Sequence, residues 1–190
     1  MKGQVFKKQN WVIILSCLIG LVGCQSVPDV TFDDDKVTGM PLPKTVDGAS
    51  DAKVAKLKSK LQEDGVKVIT VGQDYLVSMP SHLLFYADTP RIRWQSFAVL
   101  NDVANYLTQF RKVSMSVIAH TARIGDEKRN RSLSVARARN VANYLSSQAI
   151  DARFVAAQGL GSEKPIVNNA ASNAVAQNSR VEITFRNVII

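Results

Sequence analysis

Cysteine, histidine and tryptophan are scarce in this chain, with two of each among 190 residues. Cys17 lies inside an N-terminal apolar run and Cys24 directly after it, so no disulfide framework staples the remainder and the fold must rest on its core. His82 and His120 have no Cys, Asp or Glu around them at metal-ligand spacing, and neither a nucleophile elbow nor a Walker-type loop is present. Gly159-Leu160-Gly161 reads as a turn, not a phosphate cradle. No catalytic residue, metal or cofactor is therefore expected, and a secreted hydrolase is disfavoured. Long apolar runs are lacking too. The longest, residues 11–21, has about eleven residues where a bilayer span needs roughly 20. Acids are outnumbered, 16 against 24 Lys and Arg, for a formal charge of +8. Loss of residues 1–23 would take Lys2, Lys7 and Lys8 and no acid, lowering this to +5. That is a mild excess and no argument for a nucleic-acid partner.

What is present begins with an export signal. Lys2, Lys7 and Lys8 form a positive segment, and residues 11–21 supply a secretory apolar region. Leu21-Val22-Gly23-Cys24 then resembles a bacterial lipobox. The resemblance implies cleavage after residue 23, lipidation of Cys24 and anchoring by several acyl chains, where one chain alone binds weakly. Gln25 stands where an Asp would signal inner-membrane retention, which implies the outer membrane, with the domain facing the periplasm. Residues 24–52 lack periodicity and contain Pro28, Pro41, Pro43, Gly39, Gly48 and the run Asp33-Asp34-Asp35. They read as a disordered lipidated tether, with the domain spanning 53–190.

Within the domain, Ser50 can cap a helix from Asp51 to Asp64 carrying Val54, Leu57 and Leu61 on one side, and Gly65 can end it. Residues 66–71 and 75–79 read as two strands joined at Gly72-Gln73-Asp74, the second stopped by Pro80. Phe97, Leu100, Val103, Ala104, Leu107 and Phe110 recur at helical steps. Trp94 and Phe97, three apart, read as core rather than as a sugar platform. Val113, Met115 and Val117 alternate with serines as a strand, and a loop runs from His120 to about Asp126. A helix over about 128–147 places Arg137 at the border of its apolar stripe, with its stem packed and its guanidinium at a cleft. Residues 153–157 and 181–185 read as strands, and 168–178 as a loop with a short helix. The alternation predicts an α/β (α+β) sandwich, one sheet with helices packed on it.

Five segments resemble the OmpA-like C-terminal domain family, and they occur in family order over about residues 66–187. They are Leu83-Leu84-Phe85, the strand end Val117-Ile118-Ala119-His120-Thr121, Leu133-Ser134-Val135-Ala136-Arg137-Ala138 (LSxxRA), Gly159 to Pro165 (GxGxxxP), and Asn178-Ser179-Arg180-Val181-Glu182-Ile183 (NxRVEI). The resemblance implies a βαβαβ-type sheet with helices on one face. It also implies a site for the diaminopimelate residue of peptidoglycan, in which an Asp holds the ammonium and the LSxxRA arginine forks the carboxylate.

Arg137 falls on the arginine position, Asn130 matches the helix motif, and Thr121 matches the loop. Ala122 occupies the Asp position. A methyl group cannot pair with an ammonium, and losing such a bond, worth about 1.5–3 kcal/mol, weakens a clamp by one to two orders of magnitude. Asp126 or Glu127 either swings in as a substitute or serves as a loop acid or helix cap. Arg180 either supports the site or lines a strand face. Two functions follow. The altered clamp fits a structural component of an envelope assembly, similar to the small OmpA-like lipoproteins of type IVB (Dot/Icm) secretion systems, with outer-membrane core proteins as partners. An intact ligand site would fit a peptidoglycan-binding tether between membrane and wall.

Overall fold

A computed structural model describes residues 49–150 and 152–188, all within the compact unit Leu42–Ile190. The signal, Cys24 and nearly all of the tether lie outside the described residues.

Helix α1 (Asp51–Glu63) starts where Ser50 is extended and its hydroxyl accepts from Lys53 N at 3.2 Å, satisfying a donor that the first turn leaves open. It ends against Gly65, whose φ of +82° a side chain would resist. Strands β1 (Lys67–Val71) and β2 (Asp74–Pro80) form a hairpin with Val71 opposite Asp74. The two-residue turn needs Gly72 at φ +59°, its first central position, as a II′ turn does. A single turn, α2 (Ser81–Leu84), leads through an exposed loop to α3 (Ser96–Leu107). Next come β3 (Ser114–His120), the long helix α4 (Glu127–Ser146) and β4 (Phe154–Gly159). The short α5 (Ala174–Asn178) and β5 (Arg180–Arg186) close the chain.

The five strands form one sheet in the order β1-β2-β5-β3-β4. Only β3 and β4 run parallel, because α4 carries the chain back to the same end of the sheet. The last strand is thus central, antiparallel to both β2 and β3. Its inward Val181, Ile183 and Phe185 join Val77 and Met79 of β2 and Met115 and Val117 of β3. Leu100, Val103 and Leu107 of α3 and Ala138, Val141 and Leu145 of α4 cover that face, all fully or nearly buried. Each large apolar side chain so buried contributes about 1.5–3 kcal/mol. Tyr75 stacks on Phe185 at 4.9 Å between centroids, and Phe110 fits against both. The mixed sheet with helices on one side is the architecture anticipated from the sequence.

Two expectations need correction. Trp94 is not core: it precedes α3 and is 72% exposed, and Phe97 is 38% exposed, packing its ring on Tyr144 at 5.1 Å. Ser96, one turn before Leu100, opens the buried stripe of α3, so Phe97 falls beside that stripe and Trp94 before the helix start. Likewise, β3 continues through His120, which pairs with Arg180 of β5, and the loop begins at Thr121.

Candidate functional site

Where β3 ends, its loop, the first turns of α4, the α2–α3 loop and the start of α5 surround a cavity of about 500 Å³. Arg137 forms one wall. It is only 6% exposed, its guanidinium lies 5.0 Å from the centre of the Phe85 ring, and its Nε donates to the Thr89 carbonyl at 2.9 Å. Thr89 is itself fixed, since both its N–H and its hydroxyl reach the Tyr86 carbonyl. Asn140, one turn further along α4, donates to the Pro90 carbonyl at 2.8 Å and pins the same loop. Burial pulls the Arg137 pKa below its ordinary value, opposed by the nearby charge of Asp88. A guanidinium nevertheless remains charged at any physiological pH. Its outer N–H groups have no protein partner among the described residues, so a buried cation faces the cavity incompletely satisfied.

Two hydroxyls share that condition. Thr121, 5% exposed, and Ser81, 4% exposed, both line the cavity, and both side-chain oxygens are buried without a hydrogen-bond partner among the described residues. Their backbones are fixed, Thr121 N–H donating to the Gly161 carbonyl and Ser81 N–H to that of Ser179. Unpartnered buried polar groups cost free energy and need a cause.

The other residues singled out in the sequence have definite places. Asn130 lines the cavity but works inward, donating from Nδ2 to the Ile124 carbonyl at 3.0 Å and so tying the loop to α4. Asp126 lines it as well, while one carboxylate oxygen accepts from Arg129 N at 2.8 Å as the α4 N-cap. Ala122 is on the wall, 5% exposed, its N–H held by the Ser179 hydroxyl at 2.9 Å. Glu127 is outside the lining: its carboxylate takes the backbone and hydroxyl of Ser162, which lowers its pKa. Arg180 is outside it too. Its Nε donates to Glu182 at 2.7 Å, and its Nη groups donate to the carbonyls of Asn178 and Lys164. His120 Nε2 stands 3.4 Å from the other Glu182 oxygen. Chiefly through His120, and then Arg180, the Glu182 pKa falls to about 2.

Motif glycines and polar residues prove to be joints around this cavity. A Cβ on Gly159 would stand 2.1 Å from Val135 N, so β4 can press its end against α4 only without a side chain there. Ser134 of the LSxxRA segment, fully buried, accepts from Gly161 N at 2.9 Å. Asn178 accepts from Ile166 N and Val167 N and donates back to Val167, holding the long loop before β5. Sequence reasoning missed Phe85 as the platform of Arg137, and missed Ser81 and Asp88 entirely. Asp88 carried no motif signal beyond its place in a polar turn before Pro90.

The OmpA family model matches residues 84–179, from the end of α2 through α5. The chain belongs to the OmpA family. It is 35% identical over 135 residues to the probable lipoprotein YiaD of Escherichia coli, covering 71% of this chain and 62% of that relative. It therefore spans under two thirds of YiaD. The outer-membrane lipoprotein YfiB of Pseudomonas aeruginosa is 29% identical over 90% of this chain and 88% of its own length. The peptidoglycan-binding protein ArfA of Mycobacterium tuberculosis is 37% identical over 87 residues, 46% of this chain and 27% of ArfA. Among solved structures, the cell wall anchor of the type VI secretion system of P. aeruginosa superposes with a TM-score of 0.62 at 26% identity, covering 71% of this chain and 97% of that one.

Proposed function

We propose that this OmpA-family protein is a lipoprotein, anchored through Cys24 to the outer membrane, whose periplasmic domain holds peptidoglycan stem peptides in the cavity beside Arg137. One observation carries the reading: a buried guanidinium, oriented by Thr89 and Phe85, presents its outer donors to a cavity that Thr121 and Ser81 also line. A preset fork of this kind suits a carboxylate, and ordering it in advance lowers the entropic cost of binding. The names of ArfA and of the wall anchor, both similar to this chain, agree with it. Full-length protein is expected to sediment with purified sacculi, and Arg137→Ala to reduce the bound fraction at least tenfold with its circular dichroism unchanged. Equal sedimentation of wild type and variant would refute the site.

Ala122 favours a second reading, in which the domain is a structural part of an envelope assembly such as the core of a type IVB (Dot/Icm) secretion system, with other core proteins as partners. Co-purification of such proteins from solubilised outer membranes, together with no affinity for sacculi, would select it.

A further inference from the structure

The long helices cover one face of the sheet and leave the other bare. Along β1, Val68 turns into the core, so Lys67, Ile69 and Val71 stand on the opposite side. There Ile69 is 50%, Val71 71% and Phe154 66% exposed, and they flank a shallow groove of about 550 Å³ across the strands. The groove shares no lining residue with the cavity beside Arg137. Its middle row is in register throughout: Ile69, Leu76, Thr184, Ser116 and Ala156, one from each strand in sheet order. Side chains in that row are large on β1 and β2 and small on β3 and β4, with Thr184 of the central strand between them. A half-turn about an axis along β5 therefore sets Ile69 over Ala156 of a second copy, and Leu76 over its Ser116. In the neighbouring row the same rotation sets Val71 over Phe154. Large against small is what lets two sheets interdigitate about 10 Å apart. Charge does not oppose such a meeting. Residues 49–190 carry 19 Lys and Arg against 11 Asp and Glu, so two copies repel over most of their surface. On the bare face the strands place Lys67, Asp74, Arg180, Glu182 and Arg186, and four of these are already paired. Arg186 forks Asp74 with two bonds of 2.7 Å, and Arg180 donates to Glu182. This face is thus nearly neutral on a strongly basic domain, as the centre of a protein interface requires.

We propose that the bare face is the contact between two copies of this chain, related by a two-fold axis along β5, with β1 of each copy over β4 of the other. Such a contact needs one self-complementary patch, and the large and small halves of the middle row supply it. The strands of both copies then run the same way. The two Ser50 positions, where the tethers enter, lie at the same end of the pair, as two chains anchored in one membrane require. Five strands about 4.8 Å apart, over about five residues each, cover about 400 Å² per copy. A stable interface buries about 800 Å² on each partner. The pair is thus weak in free solution and forms where a shared membrane concentrates the chains. This rests on the anchoring reading above and is independent of the peptidoglycan reading.

The test treats membranes from cells exporting the full-length chain with a short bismaleimide. Sheets about 10 Å apart hold facing Cα atoms beyond the roughly 7 Å that a direct disulfide allows. Ile69→Cys combined with Ala156→Cys in one chain is expected to give at least tenfold more crosslinked dimer than either substitution alone. In the proposed pair each of these residues lies about 19 Å, four strand spacings, to the side of its own counterpart, beyond the linker. Both sites are exposed, so the substitutions leave the core intact. Adding Thr184→Arg, which sets two cations face to face on the axis, should cut the dimer at least tenfold with the circular dichroism of the purified chain unchanged. Dimer from Ile69→Cys alone, equal to that of the double variant, would set β1 against β1 and overturn the arrangement. Absence of dimer from every variant, with all of them in the membrane fraction, would overturn the interface. Wild-type chain that is crosslinked, or missing from the membrane fraction, would refute the anchor at Cys24. The same comparison on concentrated purified chains carrying Cys17→Ser and Cys24→Ser then decides the interface by the same two outcomes.

Discussion

At the scale of single residues, Arg137 and Arg180, two of the buried arginines, illustrate opposite uses of one side chain. Arg180 has its donors distributed over Glu182, Asn178 and Lys164, so it braces the start of β5 against the neighbouring loop. Arg137 has one bond to the protein, a ring beneath it and open donors toward a cavity. The first arrangement serves stability and the second serves recognition. The cluster of Glu182 with His120 and Arg180 has a pH signature. Glu182 titrates at about 2 in the fold against an ordinary value of 4.5, so its contribution is complete above about 4.5 and disappears as the pH falls toward 2. Urea midpoints measured from pH 5 to pH 2.5 are expected to fall less steeply for Glu182→Gln than for wild type. Superimposable profiles would show that the carboxylate is not under that influence.

At the scale of elements, α4 is the organiser. Its cap is Asp126, Asn130 ties the preceding loop, Ser134 holds Gly161, Arg137 faces the cavity, and Ala138, Val141 and Leu145 pack on the sheet. Several of these duties depend on β4 and the turn after it lying directly against the helix backbone. Gly159 is the point of contact, and its Cβ would strike the Ser134–Val135 backbone, which cannot rotate aside, as well as the Ser134 hydroxyl. Gly159→Ala is therefore expected to cost more than about 3 kcal/mol or to prevent soluble expression, in line with severe overpacking. A urea transition within about 1 kcal/mol of wild type would mean that α4 and β4 separate easily. Glu127 and Arg131, turned toward Ser162 and Glu163, fasten the outer side of the same junction.

At the scale of the whole molecule, the sheet order makes the C-terminus indispensable. β5 is last in sequence and central in space, bonded on both sides, so the β1–β2 hairpin joins the β3–β4 pair only through it. A chain ending at Asn178 is expected to lose cooperative thermal unfolding altogether, not merely to melt lower, because removing β5 leaves two strand edges and a core face uncovered. A sharp transition in that truncation, seen by calorimetry, would contradict the topology. The same geometry explains how one cavity draws on residues from α2 to α5: the ends of β2, β3 and β5 lie adjacent there, with Pro80, His120 and Arg180 in register across three strands.

The sequence by itself determined the elements and the family. Alternating Met115 and Val117, the helical recurrence of Leu100, Val103 and Leu107, and the glycines at the turns are local signals whose physics acts over a few residues. The five ordered motifs located Arg137 and exposed the substitution at Ala122 in the same way. Only the tertiary structure decided what surrounds Arg137. That Trp94 faces solvent, that Glu127 reaches for Ser162, and that Asp88 stands at the rim of the cavity are consequences of packing between distant segments. Periodicity has no term for such contacts, because a side chain's charge is written in the sequence while the charges it meets are set by the fold.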